Sequence, residues 1–82
     1  MLRILKISIN EIYIPKGRRK TLDQVKVEKL AEDILENGQK IPIQVRKGND
    51  RFVLVEGLHR LEACIALGED KVSAYLVQAR KF

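Results

Sequence analysis

The segment VLVEGLHRLEACIALGED, residues 53–70, contains a strand that passes through a single glycine directly into a helix. Its first three residues are apolar, and Leu58, Leu61 and Ile65 then recur at helical spacing until a second glycine. Because only Gly57 separates the two elements, the helix must begin where the strand ends. This segment predicts a layered fold in which the helix packs on a sheet.

A second amphipathic helix is indicated earlier in the chain. Thr21 and Gln24 have the spacing of a capping box, which predicts an N-cap at Thr21. Asn37 and Gly38 predict the end of this helix, since glycine readily adopts the left-handed conformation found there. Between these signals the apolar residues fall on one helical face at i, i+3, i+4 and i+7: Val27, Leu30, Ala31 and Ile34.

Four segments have the apolar alternation or β-branched content of strands. These predicted strands cover residues 3–9, 41–46, 51–56 and 71–77. The middle two flank a KGND turn and are predicted to form a hairpin. The order β-α-β-β-α-β predicts a small α+β domain over residues 1–82, with helices near 22 to 37 and 58 to 67 on a mixed sheet of about four strands.

Length, cysteine content and charge indicate the location and the partners expected of this chain. A chain of 82 residues forms one domain, and its lone Cys64 forms no internal disulfide, which predicts a cytoplasmic protein. No apolar run reaches membrane-spanning length, so no membrane partner is expected. No His/Cys cluster has metal-ligand spacing, so no protein-bound metal centre is expected. The net charge of +5 favours polyanionic partners such as nucleic acids or nucleotides.

The predicted helix after Gly57 lacks a Ser, Thr, Asp or Asn at its start. Its first N–H groups and the helix dipole therefore form a candidate anion site that a ligand can approach closely at glycine. His59 and Arg60 add side-chain donors, and a guanidinium offers paired donors to phosphate. In the alternative interpretation the N–H groups bind water, Arg60 pairs with Glu56 or Glu62, and His59 is a surface residue.

VEGLHRLEACIALGED, preceded by LAEDILENGQKIPIQVR, resembles the N-terminal domain of the ParB/sulfiredoxin superfamily. The resemblance covers about residues 21–77 and implies a stand-alone domain with the ParB/sulfiredoxin-like fold. ParB proteins have a Gly-Glu-Arg-Arg box that contacts nucleoside triphosphate, and sulfiredoxins have Gly-Cys-His-Arg and bind ATP there. This chain has Gly57, Leu58, His59 and Arg60 at that position, so the resemblance implies that these four residues bind a nucleotide, ATP or CTP.

Departures from the family pattern limit what the resemblance implies. Leu58 stands where sulfiredoxins have their catalytic cysteine and offers no nucleophile, so sulfiredoxin activity is not expected. Cys64 lies two turns inside the helix on its apolar side and is expected to be a core residue. Leu58 also replaces the acidic residue of the ParB box, and Ile41 replaces the glutamine that usually precedes Pro42. The chain lacks the helix-turn-helix and dimerisation segments of ParB proteins, so specific operator binding is not expected from it alone.

Three further residues are candidates near the phosphates. Lys26 aligns with a helix lysine that sulfiredoxins use there, and Lys29 lies on nearly the same face. In the alternative interpretation both are solvated helix lysines, and this interpretation is favoured for Lys29. Glu56, directly before the box, is a candidate magnesium ligand or base, although a single carboxylate more often caps a helix or pairs with an arginine.

The KGRRK connection carries a cluster of cations: Lys16, Arg18, Arg19 and Lys20. Such a cluster can line the phosphate site or contact a nucleic-acid backbone. A solvated basic loop is the alternative, since no aromatic residues are interleaved for base stacking.

These observations support three hypotheses. The leading one is a module that binds a nucleotide or phosphate and acts in a DNA-linked process such as plasmid partition or regulation, with DNA or a DNA-associated protein as a further partner. The second is a nucleotide-dependent enzyme of the same superfamily, a phosphotransferase or nuclease that uses magnesium. The third is non-specific nucleic-acid binding through the basic loop. Small size and an apolar final strand favour a homodimer.

Overall fold

Two helices pack on one mixed sheet in the computed structural model, which describes residues 3–78. The helices are α1 (Gln24–Asn37) and α2 (Leu58–Ala66), and among the described residues no helix is long and apolar enough to cross a bilayer. The strands are β1 (Ile4–Ser8), β2 (Ile12–Tyr13), β3 (Ile43–Lys47), β4 (Phe52–Glu56) and β5 (Lys71–Leu76). The predicted α+β fold is confirmed, while both ends of the predicted 1–82 domain lie outside the described residues.

The sheet has five strands in the order β1-β5-β3-β4-β2. The β1–β5 and β3–β4 pairs are antiparallel, and the β3–β5 and β2–β4 pairs are parallel. The additional strand relative to the prediction is β2, in which Ile12 pairs with Phe52 and Tyr13 with Val53. Two residues are too few to show an alternating pattern, so only pairing with a distant strand reveals β2.

The start of α1 differs from the prediction. Asp23, not Thr21, is the N-cap, and its carboxylate accepts hydrogen bonds from the N–H groups of Val25 at 2.9 Å and Lys26 at 3.4 Å. The Thr21 hydroxyl instead donates to the carbonyl of Arg18 at 2.8 Å and closes a short 3₁₀ turn. The predicted capping box was therefore wrong, because the preceding turn uses the threonine and aspartate caps a helix equally well.

The hydrophobic core joins both helices to the sheet. Helix α1 buries two residues of its predicted apolar face, and the other two pack against the core while remaining half-buried. The buried core residues of the strands are Ile7, Ile43, Val45, Val53, Leu54, Val72 and Ala74. The predicted apolar face of α1 is thus confirmed.

Helix α2 buries its predicted apolar face except at Ile65. Leu58 and Leu61 are buried as predicted, but Ile65 is 39% exposed. Ala63 and Cys64 are buried in its place, and their small side chains let the helix backbone lie close to its neighbours. The predicted burial of Cys64 is confirmed.

The Gln39 side chain attaches the end of α1 to the sheet. Its Oε1 accepts from the Ser73 N–H at 2.8 Å, and its Nε2 donates to the Ser73 carbonyl at 3.0 Å. Strand β3 begins pairing with β5 only at Ile43 and Ala74. The amide of Gln39 therefore supplies a backbone-like pair of hydrogen bonds just before that pairing begins.

Candidate functional site

Gly57 connects β4 to α2 in a conformation that requires glycine. Its φ of 104° and ψ of 32° are left-handed, where a Cβ is unfavourable. A Cβ at Gly57 would also lie 2.7 Å from Cγ2 and 2.9 Å from Cβ of Ile43 in β3. Backbone conformation and close packing on the sheet therefore both fix where α2 begins.

The first turn of α2 leaves its backbone donors available. No side-chain hydrogen bond caps the helix among the described residues. Its first intrahelical bond runs from the Leu61 N–H to the Gly57 carbonyl at 2.9 Å. The N–H groups of Leu58, His59 and Arg60 precede that bond, and donors in this position attract anions together with the helix dipole.

A cleft of about 300 Å³ opens at this helix start. Its walls come from three parts of the chain: the β4–α2 junction, helix α1 and the loop before α1. The residues that line it are Arg18, Thr21, Leu30, Glu56, Gly57, Leu58, His59 and Arg60. The structure thus brings the four residues of the predicted box and the predicted Glu56 to one concave surface.

His59 connects the two helices. Its Nε2 accepts a hydrogen bond from the backbone N–H of Asp23 at 3.0 Å. Asp23 is the N-cap of α1, so the first turn of α2 is attached to the start of α1. An accepting Nε2 leaves the proton of a neutral imidazole on Nδ1, and that nitrogen is the donor available to a ligand.

Two arginines from distant parts of the sequence line the cleft. Nη1 of Arg18 donates to the carbonyl of Val55 at 3.0 Å, which holds this guanidinium at the end of β4. Within residues 3–78 Arg60 forms no ion pair, and Glu62 instead accepts from Nε of Arg19 at 2.8 Å. The alternative interpretation in which Arg60 pairs with Glu62 was therefore wrong.

The other predicted cations lie outside the cleft. Lys26 and Lys29 are exposed on α1, where Leu30 is the residue that faces the cleft. Lys26 precedes Leu30 by one helical turn, so it lies at the flank of the site. Lys16 and Lys20 are exposed in the basic loop, and only one of that loop's four cations lines the cleft.

The sequence did not identify two of the lining residues as part of the site. Thr21 was predicted to be a helix cap, and Leu30 was predicted only to be a core residue. Arg18 was predicted, with the rest of the basic loop, to line the phosphate site or to contact nucleic acid, and its bond to Val55 spans 37 residues. No local pattern encodes a contact over such a separation, although an arginine next to glycine in a basic loop was a visible candidate.

The thiol of Cys64 is not activated. Burial raises its pKa and the nearby Glu69 raises it further, while Arg60 and Lys6 oppose the shift. A raised pKa lowers the thiolate fraction and with it the nucleophilicity of the side chain. In the part of the chain that the structure describes, no group of three or more His, Cys, Asp and Glu residues is arranged to hold a metal ion.

Comparison with known protein families matches residues 2–81 to the ParB N-terminal domain. The chain belongs to this family. The chain is 40% identical over 76 residues, 93% of its length, to a probable chromosome-partitioning protein ParB of Campylobacter jejuni. It spans 26% of the length of that relative.

Solved structures share the fold of this ParB N-terminal domain. Sulfiredoxin from Arabidopsis thaliana matches with a TM-score of 0.85 and 27% identity over 94% of this chain and 86% of that chain. A C-terminally truncated ParB from Caulobacter crescentus, complexed with CTP-γ-S, matches with a TM-score of 0.82 and 23% identity over 96% of this chain and 46% of that chain. The predicted membership of the ParB/sulfiredoxin superfamily is confirmed.

The box of this ParB N-terminal domain has an apolar residue at its second position. Leu58 is 5% exposed and packs into the core, so that position supplies a backbone N–H and no nucleophilic side chain. Cys64 is buried two turns into α2 and does not line the cleft. The cleft therefore offers hydrogen-bond donors and positive charge rather than a thiol.

Proposed function

We propose that this ParB N-terminal domain binds the phosphate groups of a nucleotide, CTP or ATP, in the cleft at the start of α2. The observation that carries the proposal is that an uncapped helix start opens into the same cleft as Arg18 and Arg60. Helix N–H groups and guanidinium donors together form the usual chemistry of a phosphate site. The Caulobacter ParB complexed with CTP-γ-S has the same fold, which supports a nucleotide as the ligand.

The residues of the box and Arg18 contribute backbone and side-chain donors to the proposed complex. Gly57 lets a phosphate reach the backbone, and the N–H groups of Leu58 and His59 donate to it. Arg60 supplies paired donors from a side chain that is free of ion pairs among the described residues. Arg18 donates from the loop before α1, because its bond to Val55 uses only one of its five N–H groups.

The flank of the cleft suits the outer phosphates of a triphosphate. Lys26 and Lys29 are exposed on α1, and a lysine acts as a mobile point charge that can reach toward a bound polyphosphate. Magnesium is commonly held by one or two carboxylates together with substrate phosphates. Glu56 lines the cleft and is the carboxylate that fits this role. Bound there, magnesium would neutralise part of the phosphate charge.

The proposed role of nucleotide binding is regulatory and DNA-linked. The Campylobacter relative is a probable chromosome-partitioning protein, which supports a role in partition for this domain. In this proposal the nucleotide changes how the domain interacts with DNA or with a DNA-associated protein.

Thermal melts and calorimetric titrations with ATP, ADP, CTP and GTP test the proposal. A nucleotide that binds the folded state raises the melting temperature. Arg60→Ala removes charge-assisted bonds of about 1.5–3 kcal/mol, so affinity should drop at least ten-fold. Lys20→Ala removes an exposed cation outside the cleft and is the matched control. Absence of any nucleotide affinity at millimolar concentration, or equal losses in both variants, would refute the proposed site.

A nucleotide-dependent enzyme is the second candidate, favoured by the carboxylate of Glu56 in the cleft. Its test is the release or transfer of phosphate in the presence of magnesium by the wild type and by Glu56→Gln. Turnover that is lost in Glu56→Gln, with nucleotide affinity retained, would support catalysis. Binding without turnover would support the regulatory module.

A further inference from the structure

A second concave surface, of about 530 Å³, lies at the β3–β4 turn. It is larger than the cleft at α2 and lies at the other end of β4, a strand of five residues that spans about 16 Å. The residues that line it are Tyr13, Pro15, Arg46, Lys47, Gly48, Asn49, Arg51 and Val53. We call this set the hairpin surface. It shares no lining residue with the cleft at α2.

The hairpin surface carries concentrated positive charge. Arg46, Lys47 and Arg51 all line it, and none of its lining residues is acidic. Over residues 3–78, none of the three cations forms an ion pair, in contrast to Arg19. Asp50 in the same turn offsets part of this charge, and the three cations still leave a net positive surface that attracts a polyanion.

An aromatic ring lies among these cations. The guanidinium carbon of Arg51 lies 4.0 Å from the centre of the Tyr13 ring, in cation–π geometry. Tyr13 is held in position by the pairing of β2 with β4, where its partner is Val53. The short strand that the sequence did not reveal thus brings a stacked Tyr–Arg pair to the hairpin surface.

The turn that presents the cations is conformationally fixed. The Gly48 N–H donates to the carbonyl of Arg51 at 2.8 Å, and Asp50 adopts a positive φ of 61°. A Cβ on Gly48 would lie 2.9 Å from Cγ2 of Val53, so the turn packs tightly on β4. A fixed turn loses little conformational entropy when it binds a ligand, which favours affinity.

We propose that the hairpin surface binds single-stranded nucleic acid. The cations contact consecutive phosphates, and the Tyr13–Arg51 pair offers a stacking face that an unpaired base can reach. An acidic peptide would match the charge and leave the stacking pair unused. The basic loop is less suited to this role, because Arg19 already pairs with Glu62 and Arg18 lines the cleft at α2.

The test is fluorescence anisotropy with a labelled thymidine 15-mer over a range of salt concentrations. The test variant replaces the three cations: Arg46→Gln, Lys47→Gln and Arg51→Gln. The matched control removes the same charge outside the hairpin surface: Lys6→Gln, Lys40→Gln and Lys71→Gln. Tyr13→Leu probes stacking separately. Binding of the 15-mer is also measured in the presence of a saturating concentration of the best nucleotide. A duplex of the same length and polyglutamate are tested as competitors.

We expect the affinity of the test variant to be at least about ten-fold lower than that of the wild type. The slope of log affinity against log salt concentration should fall by about 2, because each of three phosphate contacts contributes about 0.7 for a single strand. The control should lose less, and saturating nucleotide should leave binding intact because the cleft is separate. When the 15-mer is added to the wild type, the amide chemical shifts should change around residues 46–53. This measurement uses the wild type alone, so it does not depend on whether a variant folds. Equal losses in test and control, equal competition by polyglutamate or by duplex, or shifts confined to residues 57–60 would each overturn the proposal.

Discussion

Nε2 of His59 accepts a hydrogen bond from the backbone N–H of Asp23 at 3.0 Å, and this contact joins the starts of the two helices. Asp23 caps α1 with its carboxylate while its own N–H is bound by the first turn of α2. One imidazole thus has a structural contact on one nitrogen and a free donor on the other. The structural contact and a contact with a ligand lead to different predictions for substitutions at His59.

The structural role predicts that His59→Ala lowers the free energy of unfolding without any ligand, by about 0.5–1.5 kcal/mol for one hydrogen bond. His59→Gln retains a side-chain acceptor and should lose less. Urea denaturation of the unliganded proteins measures both. If His59→Ala is as stable as the wild type and only nucleotide affinity falls, His59 acts through its ligand contact alone.

Gly57→Ala should be among the most destabilising substitutions at a glycine in this domain. Its Cβ would meet Ile43 at 2.7 Å in addition to the cost of a left-handed conformation, which is about 1–2 kcal/mol for a residue with a Cβ. Gly68→Ala is the matched control, since Gly68 also has a positive φ, of 76°, but open space around it. The difference between the two variants in denaturant unfolding measures the steric contribution.

A double variant separates that steric contribution further. Ile43→Ala removes the Cγ2 atom that the new Cβ would meet, so Gly57→Ala should cost less in the Ile43→Ala background than in the wild type. Equal costs in the two backgrounds would show that Cγ2 of Ile43 contributes nothing, and that the backbone conformation and the remaining approach to Cβ of residue 43 at 2.9 Å require glycine.

The parts of the fold that the sequence predicted are those encoded by neighbouring residues. The β4–Gly57–α2 junction depends on residues within one turn of each other, and so does the face of α1. Strand β2 and the position of Arg18 depend on Val53 and Val55, which lie about forty residues later. Local chemistry allowed both Thr21 and Asp23 to cap α1, and the choice depended on the 3₁₀ turn that uses Thr21.

The candidate site also combines features that neighbouring residues encode with features that depend on distant parts of the chain. The uncapped helix start was visible in the sequence because a cap is a local feature. The apolar wall from Leu30 and the hydrogen bond between His59 and Asp23 were not visible, because both require α1 to pack against the β4–α2 junction. The basic loop was a visible candidate, but the sequence did not indicate which of its four cations lines the cleft. The sequence therefore indicated the position of the candidate site better than the residues that surround it.

Gln39→Ala should destabilise the domain by about 1–3 kcal/mol, because the Ser73 N–H and carbonyl both lose a partner. Asn37→Ala is the control, since the Asn37 side chain bonds to Asp33 on the exposed surface of α1, and the substitution should change stability by less than about 0.5 kcal/mol. Chemical denaturation compares the two. Hydrogen exchange at the Ser73 amide should also accelerate in Gln39→Ala, and unchanged protection there would contradict the proposed contact.

Native thiol labelling should be slow, because Cys64 is 2% exposed and its pKa is raised. We expect labelling by an aromatic disulfide reagent at pH 8 to be rapid in urea and slow in buffer. Cys64→Ala should bind nucleotide as well as the wild type does, since Cys64 does not line the cleft. Rapid labelling of the native protein would contradict the observed packing of α2.

The raised pKa of Cys64 also predicts how stability depends on pH. The folded state holds the thiol proton more tightly than the unfolded state, in which the pKa is close to the usual 9.0. This contribution to stability is fully present below that value and is lost as pH rises through the higher folded pKa. All other ionisable groups are common to the wild type and Cys64→Ala, so comparing the two proteins isolates the thiol. The difference in unfolding free energy between the two proteins should therefore change in favour of Cys64→Ala between about pH 8 and pH 10.5. A difference that stays constant over this range would mean that the thiol ionises equally readily in the folded and unfolded states.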